Sequence, residues 1–258
     1  MSPAARLPVA VHGAEGRMGR LVAALVEAAP DCELVALVTE PGRCVPAGAL
    51  HPRLAVIGQE AMGGVLPSGC VIVDFSVAAA LPGLLAGAAM AHARLVSGTT
   101  GFDELALQTL RRHADAHAVV HAANFSVGIP ALQMVLQLLA RTLPGGFTAE
   151  QVETHHTAKL DRPSGTARAL AAAWQRIRGG EPVPVHAQRI GGVVGEHTWT
   201  IGDQEETLVL THRAQSRAAF LRGVLPAIRF VAGRERGFYG LGDVLTSLAD
   251  DAALAGGS

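Results

Sequence analysis

The chain has 258 residues, which is enough for one large α/β domain or two modest ones with an ample core. Apolar residues make up 49% of it and aromatic residues only 4%, so the core must be built mainly from alanine, valine and leucine. The 21 basic and 22 acidic residues leave a net charge of −1, and this balance argues against binding to nucleic acid or to an anionic membrane surface.

The first predicted elements are a strand, a glycine turn and a helix. Leu7 to Val11 is a short apolar run, and apolar residues then recur at helical spacing from Met18 to Val26. The turn between them contains Gly13, Gly16 and Gly19. In a dinucleotide site such glycines allow a tight turn, a close backbone approach to the pyrophosphate, and packing of the helix on the strand. The turn therefore predicts nucleotide binding.

Strands and helices then alternate up to residue 121. The predicted strands are Leu34 to Val38, a short one near Leu54 to Ile57, Val71 to Phe75, Arg94 to Ser97 and Ala118 to His121. The predicted helices are Val77 to Ala93 and Glu104 to His117. This alternation predicts a parallel sheet whose carboxyl ends gather Gly13, Gly98 and Ala122 at one rim, where ligands bind in doubly wound folds.

The second half of the chain predicts a different architecture. Ser126 to Leu143 reads as a long helix with Pro130 in its first turn and an apolar stripe formed by Leu132, Val135, Leu136 and Leu139. Gln188 to Arg213 alternates with a period of two, and predicts antiparallel strands at His197 to Ile201 and Thr207 to Thr211 in a mixed sheet.

The last predicted elements follow that sheet. Ala218 to Ala232 predicts a helix, in which Pro226 indicates a kink or a later start. Gly237 to Leu245 predicts a turn and a final strand-like segment, and the tail from Ala249 is expected to be frayed.

The chemistry concentrates in Glu153 to Ala167, with the sequence ETHHTAKLDRPSGTA. His155 and His156 are adjacent, so on an extended segment only one of them faces a given site. The turn from Ser164 to Thr166 opens a helix predicted up to Ile177, and free N–H groups at a helix start suit a carboxylate or phosphate. Lys159 would add a positive charge. Taken singly, these features are more often a helix cap, a solvated lysine and surface histidines.

The segment from His155 to Ala167 resembles the signature HHxxKxDxPSGTA of the bacterial dihydrodipicolinate reductase family. Further matches follow in the family's order: GAEGRMG at Gly13 to Gly19, VDFS at Val73 to Ser76, SGTTGFDE at Ser97 to Glu104, AANFSVG at Ala122 to Gly128, and VVGEH at Val193 to His197. The resemblance implies an α/β protein with a Rossmann-type parallel-sheet nucleotide domain, residues 1–126 and 218–258. It also implies an α+β substrate-binding and tetramerisation domain with a mixed open sheet, residues 127–217.

The resemblance implies NAD(P)H-dependent reduction of a cyclic, conjugated imine bearing two carboxylates, in lysine and diaminopimelate biosynthesis. His155 matches the proton donor and Lys159 the second catalytic position. The matches to substrate-binding groups are His156, Ser164, Gly165, Thr166 and Thr100. The matches to cofactor-binding groups are Gly13, Ala14, Glu15, Gly16, Arg17, Met18, Thr39, Glu40, Gly98, Thr99, Thr100, Ala122, Ala123, Asn124 and Phe125. Arg162 stands where the family usually has alanine, which changes the mouth of the site.

The choice of cofactor depends on the end of the second strand, where an acid normally holds the adenosine ribose. In the resembled family an acid followed by a basic residue accepts both NADH and NADPH. Here these positions are Thr39 and Glu40. Glu40 would repel the extra phosphate of NADPH unless Arg43 approaches it, so NADH is favoured. The alternative is that Glu40 is a solvated loop residue and another group meets the ribose.

The remaining expectations concern the environment of the chain. Cys32, Cys44 and Cys70 lack metal-binding spacing, and with no signal peptide or membrane span expected they indicate reduced thiols in a cytoplasmic protein. No metal site is expected. His197 and Glu196 are interpreted as structural. Two competing functions stay open: a nicotinamide-dependent reductase of another imine or an amino-acid dehydrogenase on the same scaffold, and a catalytically idle nucleotide-binding protein.

Overall fold

The computed structural model describes residues 5–40, 42 and 50–255. The chain forms two compact units, residues 1–125 with 221–258 and residues 126–220. Both predicted sheets are present. The first unit contains a seven-stranded sheet and the second a four-stranded one.

The first unit is a doubly wound parallel sheet with the strand order β11-β6-β5-β4-β1-β2-β3. Its strands are β1 (Leu7–His12), β2 (Cys32–Thr39), β3 (Val56–Gly58), β4 (Val71–Asp74), β5 (Arg94–Ser97), β6 (Ala118–His121) and β11 (Gly237–Tyr239). Its helices are α1 (Arg17–Ala28), α2 (Met62–Val65), α3 (Leu81–Met90), α4 (Glu104–His113), α7 (Val224–Ala232) and α8 (Leu241–Ala255).

Helices cover both faces of this sheet because its central strands are apolar on both sides. Val9 and Val11 of β1 belong to one buried cluster, together with Val22 of α1 and Ile228 of α7. Ala10, between the two valines, belongs to the opposite cluster. The expected Rossmann-type fold is therefore confirmed, with a core of small aliphatic residues.

The second unit is a mixed sheet with the order β10-β9-β7-β8, in which β7 and β8 are parallel and the other neighbours are antiparallel. Its elements are α5 (Gly128–Thr142), β7 (Thr148–His155), α6 (Gly165–Arg178), β8 (Val185–Arg189), β9 (Glu196–Gly202) and β10 (Thr207–Arg213). Leu136, Leu170, Trp174 and Trp199 pack in the core between the two helices and the sheet.

Several predicted boundaries were wrong. The helix predicted from Val77 is a short 3-10 turn until α3 begins at Leu81, with Pro82 in its first turn where a missing N–H costs little. The helix predicted to His117 ends at His113, because the chain turns there and the Ala114 carbonyl accepts a hydrogen bond from Gly237 N.

The C-terminal predictions needed the largest correction. Gly237–Tyr239 is a strand as expected, but the segment after it forms α8, which continues to Ala255 and includes the described residues 249–255 of the tail expected to fray. Asp243 accepts a hydrogen bond from Gly240 N at 2.7 Å, which caps the start of this helix. The preceding helix starts at Val224, so Pro226 marks a later start and not a kink. Val135, placed in the apolar stripe of α5, is 41% exposed.

Candidate functional site

The glycine turn lies tightly against the ends of two neighbouring strands. The N–H groups of Gly13 and Ala14 donate to the Val38 carbonyl at 2.9 and 3.2 Å. Gly13 has φ of +73°, and a Cβ there would lie 2.7 Å from the Phe75 carbonyl oxygen. A Cβ at Gly19 would lie 2.1 Å from the Gly13 oxygen. Only glycine fits at these two positions, and the turn brings the start of α1 close to the sheet edge as dinucleotide binding requires.

The carboxyl ends of β1, β5 and β6 lie along one edge of the sheet, because these strands are parallel. Gly13, Gly98 and Ala122 follow directly after these strands, as predicted. A Cβ at Gly98 would overlap the Phe75 ring at 2.4 Å. Thr100 is exposed at this edge.

Two residues predicted at the nicotinamide end have buried side chains. Thr99 is 2% exposed, and its hydroxyl accepts a hydrogen bond from Ser76 N at 3.0 Å. Phe125 is fully buried, with its ring centroid 5.8 Å from that of Phe75. The side chains of Thr99 and Phe125 therefore pack beneath the sheet edge, whereas those of Thr100 and Ala123 are exposed.

A buried polar network, which no sequence pattern indicated, lies beneath the same edge. His12 Nδ1 donates to Asp74 at 2.9 Å, and the Asp74 carboxylate also accepts from the hydroxyls of Ser76 and Ser97 at 2.6 and 2.9 Å. Burial would raise the pKa of Asp74, but the interaction with His12, followed by the hydrogen bonds of Ser76 and Thr99, outweighs burial and lowers its pKa. Asp74 therefore links the ends of β1, β4 and β5 as a carboxylate.

At the end of β2, the residue at the usual acid position is turned inward. Thr39 is 2% exposed, and its hydroxyl lies 3.4 Å from the Ile57 carbonyl oxygen, to which it donates. Glu40 N donates to a carboxylate oxygen of Glu15 at 2.9 Å. Arg43, considered above as a partner for a phosphate, lies outside the described residues.

In the second unit, β7 places two residues of the signature segment on one face. Glu153 and His155 are two positions apart, so their side chains point the same way. Both are buried, and His155 Nδ1 donates to the Glu153 carboxylate in a short hydrogen bond. His156 lies just beyond the end of β7 and is partly exposed. The structure therefore distinguishes the two adjacent histidines, as their alternation predicts.

Glu153 is held by three groups, none of which sequence spacing revealed. Its second oxygen accepts from Arg189 Nη2 at 2.9 Å and from Ser164 N at 3.1 Å. Burial opposes ionisation, but the hydrogen bonds from Arg189, His155 and Ser164 outweigh it and lower the pKa of Glu153. Glu153 is therefore a carboxylate that orients the His155 imidazole and fixes which nitrogen carries the proton.

The pKa of His155 is lowered below its usual value. Burial is the largest cause, and the charges of Lys159 and Arg189 act in the same direction, while the Glu153 carboxylate partly opposes them. Gly195 leaves room beside this ring, since a Cβ there would lie 3.1 Å from His155 Nε2. This ring nitrogen faces away from Glu153 and is the one suited to exchange a proton with a ligand.

Arg189 also fixes the loop that carries Lys159. Its guanidinium donates to the carbonyls of Lys159, at 3.2 Å, and of Asp161. Lys159 Nζ forms an ion pair with the Asp161 carboxylate at 2.7 Å. The backbone of the loop is thus bound to Arg189 of β8, whereas the Lys159 side chain remains partly exposed.

The start of α6 already holds a carboxylate. Burial would raise the pKa of Asp161, but the hydrogen bond and charge of Lys159, with smaller contributions from backbone N–H groups including that of Gly165, lower its pKa. Ser164 is the N-cap of α6 and accepts from Ala167 N at 3.1 Å, so its hydroxyl does serve as a helix cap. Lys159 and the first turn of α6 therefore together form an environment that stabilises negative charge.

His197 packs against His155 with ring centroids 5.4 Å apart. It is 3% exposed, and its Nδ1 accepts from Gln151 at 3.1 Å. Burial, with the nearby charge of His155, lowers the pKa of His197 to about 4, so it is neutral at neutral pH. Glu196 instead pairs with Arg213 at 2.5 Å on the surface.

Among the described residues, no group of three or more His, Cys, Asp or Glu side chains is arranged to hold a metal ion. No helix in the described ranges is both long and apolar enough to cross a membrane. Cys32 and Cys70 are buried free thiols, and Cys44 lies outside the described part of the chain.

A parallel-sheet unit with a glycine turn of the dinucleotide-binding type and a second unit with a buried histidine–carboxylate pair define the class of two-domain nicotinamide-dependent oxidoreductases. Residues 7–125 match the family model described as dihydrodipicolinate reductase, N-terminus, and residues 128–245 match that of the C-terminus. The chain belongs to the dihydrodipicolinate reductase family, and the resemblance noted in the sequence is confirmed.

Named relatives agree with this over nearly the whole length. The 4-hydroxy-tetrahydrodipicolinate reductase of Thiobacillus denitrificans is 35% identical, covering 92% of this chain and 97% of its own. That of Stenotrophomonas maltophilia is 38% identical, covering 93% and 98%. A solved dihydrodipicolinate reductase from Paenisporosarcina sp. TG-14, with dipicolinate bound, has a TM-score of 0.76 at 24% identity, covering 92% of this chain and 99% of its own.

Proposed function

We propose that this protein reduces 4-hydroxy-tetrahydrodipicolinate (dihydrodipicolinate) to tetrahydrodipicolinate with NADH or NADPH, in lysine and diaminopimelate biosynthesis. The observation that carries the proposal is the buried Glu153–His155 pair in the same segment as the Lys159–Asp161 pair and the start of α6. Together these groups supply a proton donor and an anion site, which a cyclic dicarboxylate substrate needs.

We propose that the first unit holds the cofactor. The turn from Gly13 to Met18 would receive its pyrophosphate, and the residues from Gly98 to Thr100 and from Ala122 to Phe125 its nicotinamide end. The close packing of Gly13 and Gly19 against backbone atoms supports this, because it holds the start of α1 tightly against the strand ends, as in a dinucleotide site. When bound, the reduced nicotinamide supplies the hydride.

The second unit would bind the substrate and complete the chemistry. Hydride addition to a conjugated imine leaves an electron-rich atom that must take up a proton, and we assign the donor to His155. Glu153 holds this imidazole on its other nitrogen, which stabilises the protonated ring before transfer. Lys159 would stabilise negative charge that develops during the reaction.

The substrate carboxylates would meet His156, Ser164, Gly165, Thr166 and, from the first unit, Thr100. The lowered pKa of Asp161 beside Lys159 supports an anion site here, because it reflects surroundings that stabilise negative charge. Because the Ser164 hydroxyl caps α6, we assign the contribution of Ser164 to the geometry of the helix start.

We propose that NADH is the preferred cofactor. Glu40 and Glu15 both lie at the end of β2, where the 2′-phosphate of NADPH would introduce like charge. The acid usual at this place is replaced by the inward-facing Thr39.

We also propose that the protein is a cytoplasmic homotetramer assembled through the sheet of the second unit. The face of this sheet opposite to Trp199 carries β-branched side chains that remain accessible, such as Thr200, Val209 and Thr211. Val209 is 63% exposed on the edge strand β10, which is unusual for a valine in a sheet. Size-exclusion chromatography with light scattering tests the assembly.

The reaction is tested by loss of reduced-nicotinamide absorbance on substrate made in situ from pyruvate and aspartate semialdehyde by the preceding synthase. Parallel assays with NADH and NADPH would give rapid turnover with both or with NADH alone. Cofactor binding without turnover would instead support a reductase of another cyclic imine, an amino-acid dehydrogenase or an idle nucleotide-binding protein. The match over both halves of the chain does not favour these alternatives.

A further inference from the structure

The recognition of the adenosine ribose in a doubly wound fold normally depends on an acid as the last residue of β2, and here that residue is a threonine, followed by Glu40. Thr39 occupies the position and is 2% exposed, with its hydroxyl directed at the Ile57 carbonyl. A ribose carries two adjacent hydroxyl groups, which bind well to one carboxylate because each can donate to it. Another carboxylate must supply this function if the site retains it.

Glu15, in the middle of the glycine turn, brings a carboxylate to that place. One of its oxygens accepts a hydrogen bond from the backbone N–H of Glu40, the residue directly after β2, at 2.9 Å. The turn itself is fixed to the same strand end by the hydrogen bonds of Gly13 N and Ala14 N to Val38. The position of the Glu15 carboxylate is therefore set by backbone contacts on both sides.

The second carboxylate oxygen of Glu15 remains without a hydrogen-bond partner among the described residues, although it is shielded from solvent. A carboxylate oxygen that is desolvated and unpaired is costly unless a ligand supplies a donor. Glu15 as a residue is only partly buried, so it lies at the surface of the turn, where a ligand can approach it.

We infer that Glu15 binds the adenosine ribose hydroxyls and selects NADH over NADPH. This inference rests on the proposed use of a nicotinamide cofactor. The free oxygen of Glu15 would accept a hydroxyl hydrogen bond, while a 2′-phosphate would replace that donor with a group of like charge. The acidic function has moved from the strand end to the glycine turn.

The test measures binding and not turnover, by titrating the protein with NADH and with NADPH and following nucleotide fluorescence. In Glu15→Gln, the amide oxygen can still accept from Glu40 N, so the turn should keep its fold. Loss of a charge-assisted hydrogen bond should weaken NADH binding by about 10- to 100-fold. NADPH binding should stay the same or tighten, because the repulsion is removed.

Two further variants make the outcome decisive. Glu27→Gln, on α1 and paired at the surface with His51, is the matched control and should keep the wild-type ratio of the two dissociation constants. Glu40→Gln tests the neighbouring acid. A ratio in Glu15→Gln within about twofold of the wild type would overturn the inference, as would a shift seen only in Glu40→Gln. If the wild type bound neither nucleotide, both the proposed function and this inference would fail.

Discussion

The substitution Glu153→Gln tests whether this carboxylate serves catalysis as well as the fold. Glutamine keeps the shape and can still accept from His155 Nδ1, but it leaves the Arg189 charge unbalanced. The Arg189 and Glu153 side chains are 1% and 0% exposed. Removing one partner of a buried ion pair costs about 3–5 kcal/mol. Because glutamine keeps hydrogen bonds at this place, Glu153→Gln should lower the free energy of unfolding by about 3 kcal/mol.

The chain offers a matched control on the same strand. Glu150 pairs with His186 at 2.9 Å, but these side chains are 61% and 56% exposed. Because exposed pairs contribute little, Glu150→Gln should change the unfolding free energy by less than about 1 kcal/mol and leave activity unchanged. Urea denaturation of both variants measures this difference.

The catalytic part of the prediction concerns the pH dependence of turnover. The Glu153 carboxylate raises the pKa of His155 against the larger effect of burial, so Glu153→Gln should lower that pKa further. A proton donor must be protonated, and its activity is lost as the pH rises through its pKa. The falling limb of kcat should therefore move to lower pH, with roughly a 10- to 100-fold loss of kcat near neutrality.

Turnover measured between about pH 5 and 9 decides the matter. If Glu153→Gln lost stability but kept the wild-type limb and kcat, the carboxylate would be structural only, and its assignment as the group that orients His155 would be refuted. An equal effect in Glu150→Gln would point to a general change in the protein.

Three further predictions concern the site and the sheet edge. His155→Ala and Lys159→Ala should each lower kcat by about 10²- to 10⁴-fold while the NADH dissociation constant stays unchanged; near-normal rates in both would contradict their assigned roles. Gly13→Ala should destabilise the nucleotide turn and abolish cofactor binding, because φ is +73° and the new Cβ would lie 2.7 Å from the Phe75 oxygen; unimpaired fluorescence titration would disprove this. The lowered pKa of Asp74 stabilises the fold above the usual carboxyl range, and this stability is lost as the pH falls through the lowered pKa. Asp74→Asn should therefore reduce the fall of the melting temperature as the pH is lowered through the acid range. An unchanged dependence of the melting temperature on pH would show that Asp74 does not couple folding to pH.

Most of the architecture could be predicted because the spacing of apolar residues along the chain indicates which faces of the helices and strands are buried. Central strands such as Val71–Asp74 are apolar on both faces, and the period-two alternation of β9 and β10 marked the mixed sheet. Helix ends were less predictable. α4 ends early and α8 continues to Ala255, because capping and packing contacts decide where a helix stops.

The signature segment was visible in the sequence because its donors and cation lie within a few residues of one another. His155, Lys159 and Ser164 occupy β7, its following loop and the start of α6 as the local pattern predicts. The short spacing sufficed to suggest an anion site, and the order of the further motifs indicated the family.

Only the tertiary structure revealed the groups that control these residues. Arg189 reaches Glu153 from a strand 36 positions away, and Glu15 reaches the end of β2 across 25 positions. His12 and Asp74 meet across 62 positions beneath the sheet edge. Sequence spacing carries no information about such pairs, because parallel strand pairing brings them together. The sequence by itself therefore determined the fold class and the signature segment, whereas the folded chain decided which buried charges hold the His155 imidazole and which acid lies beside the end of β2.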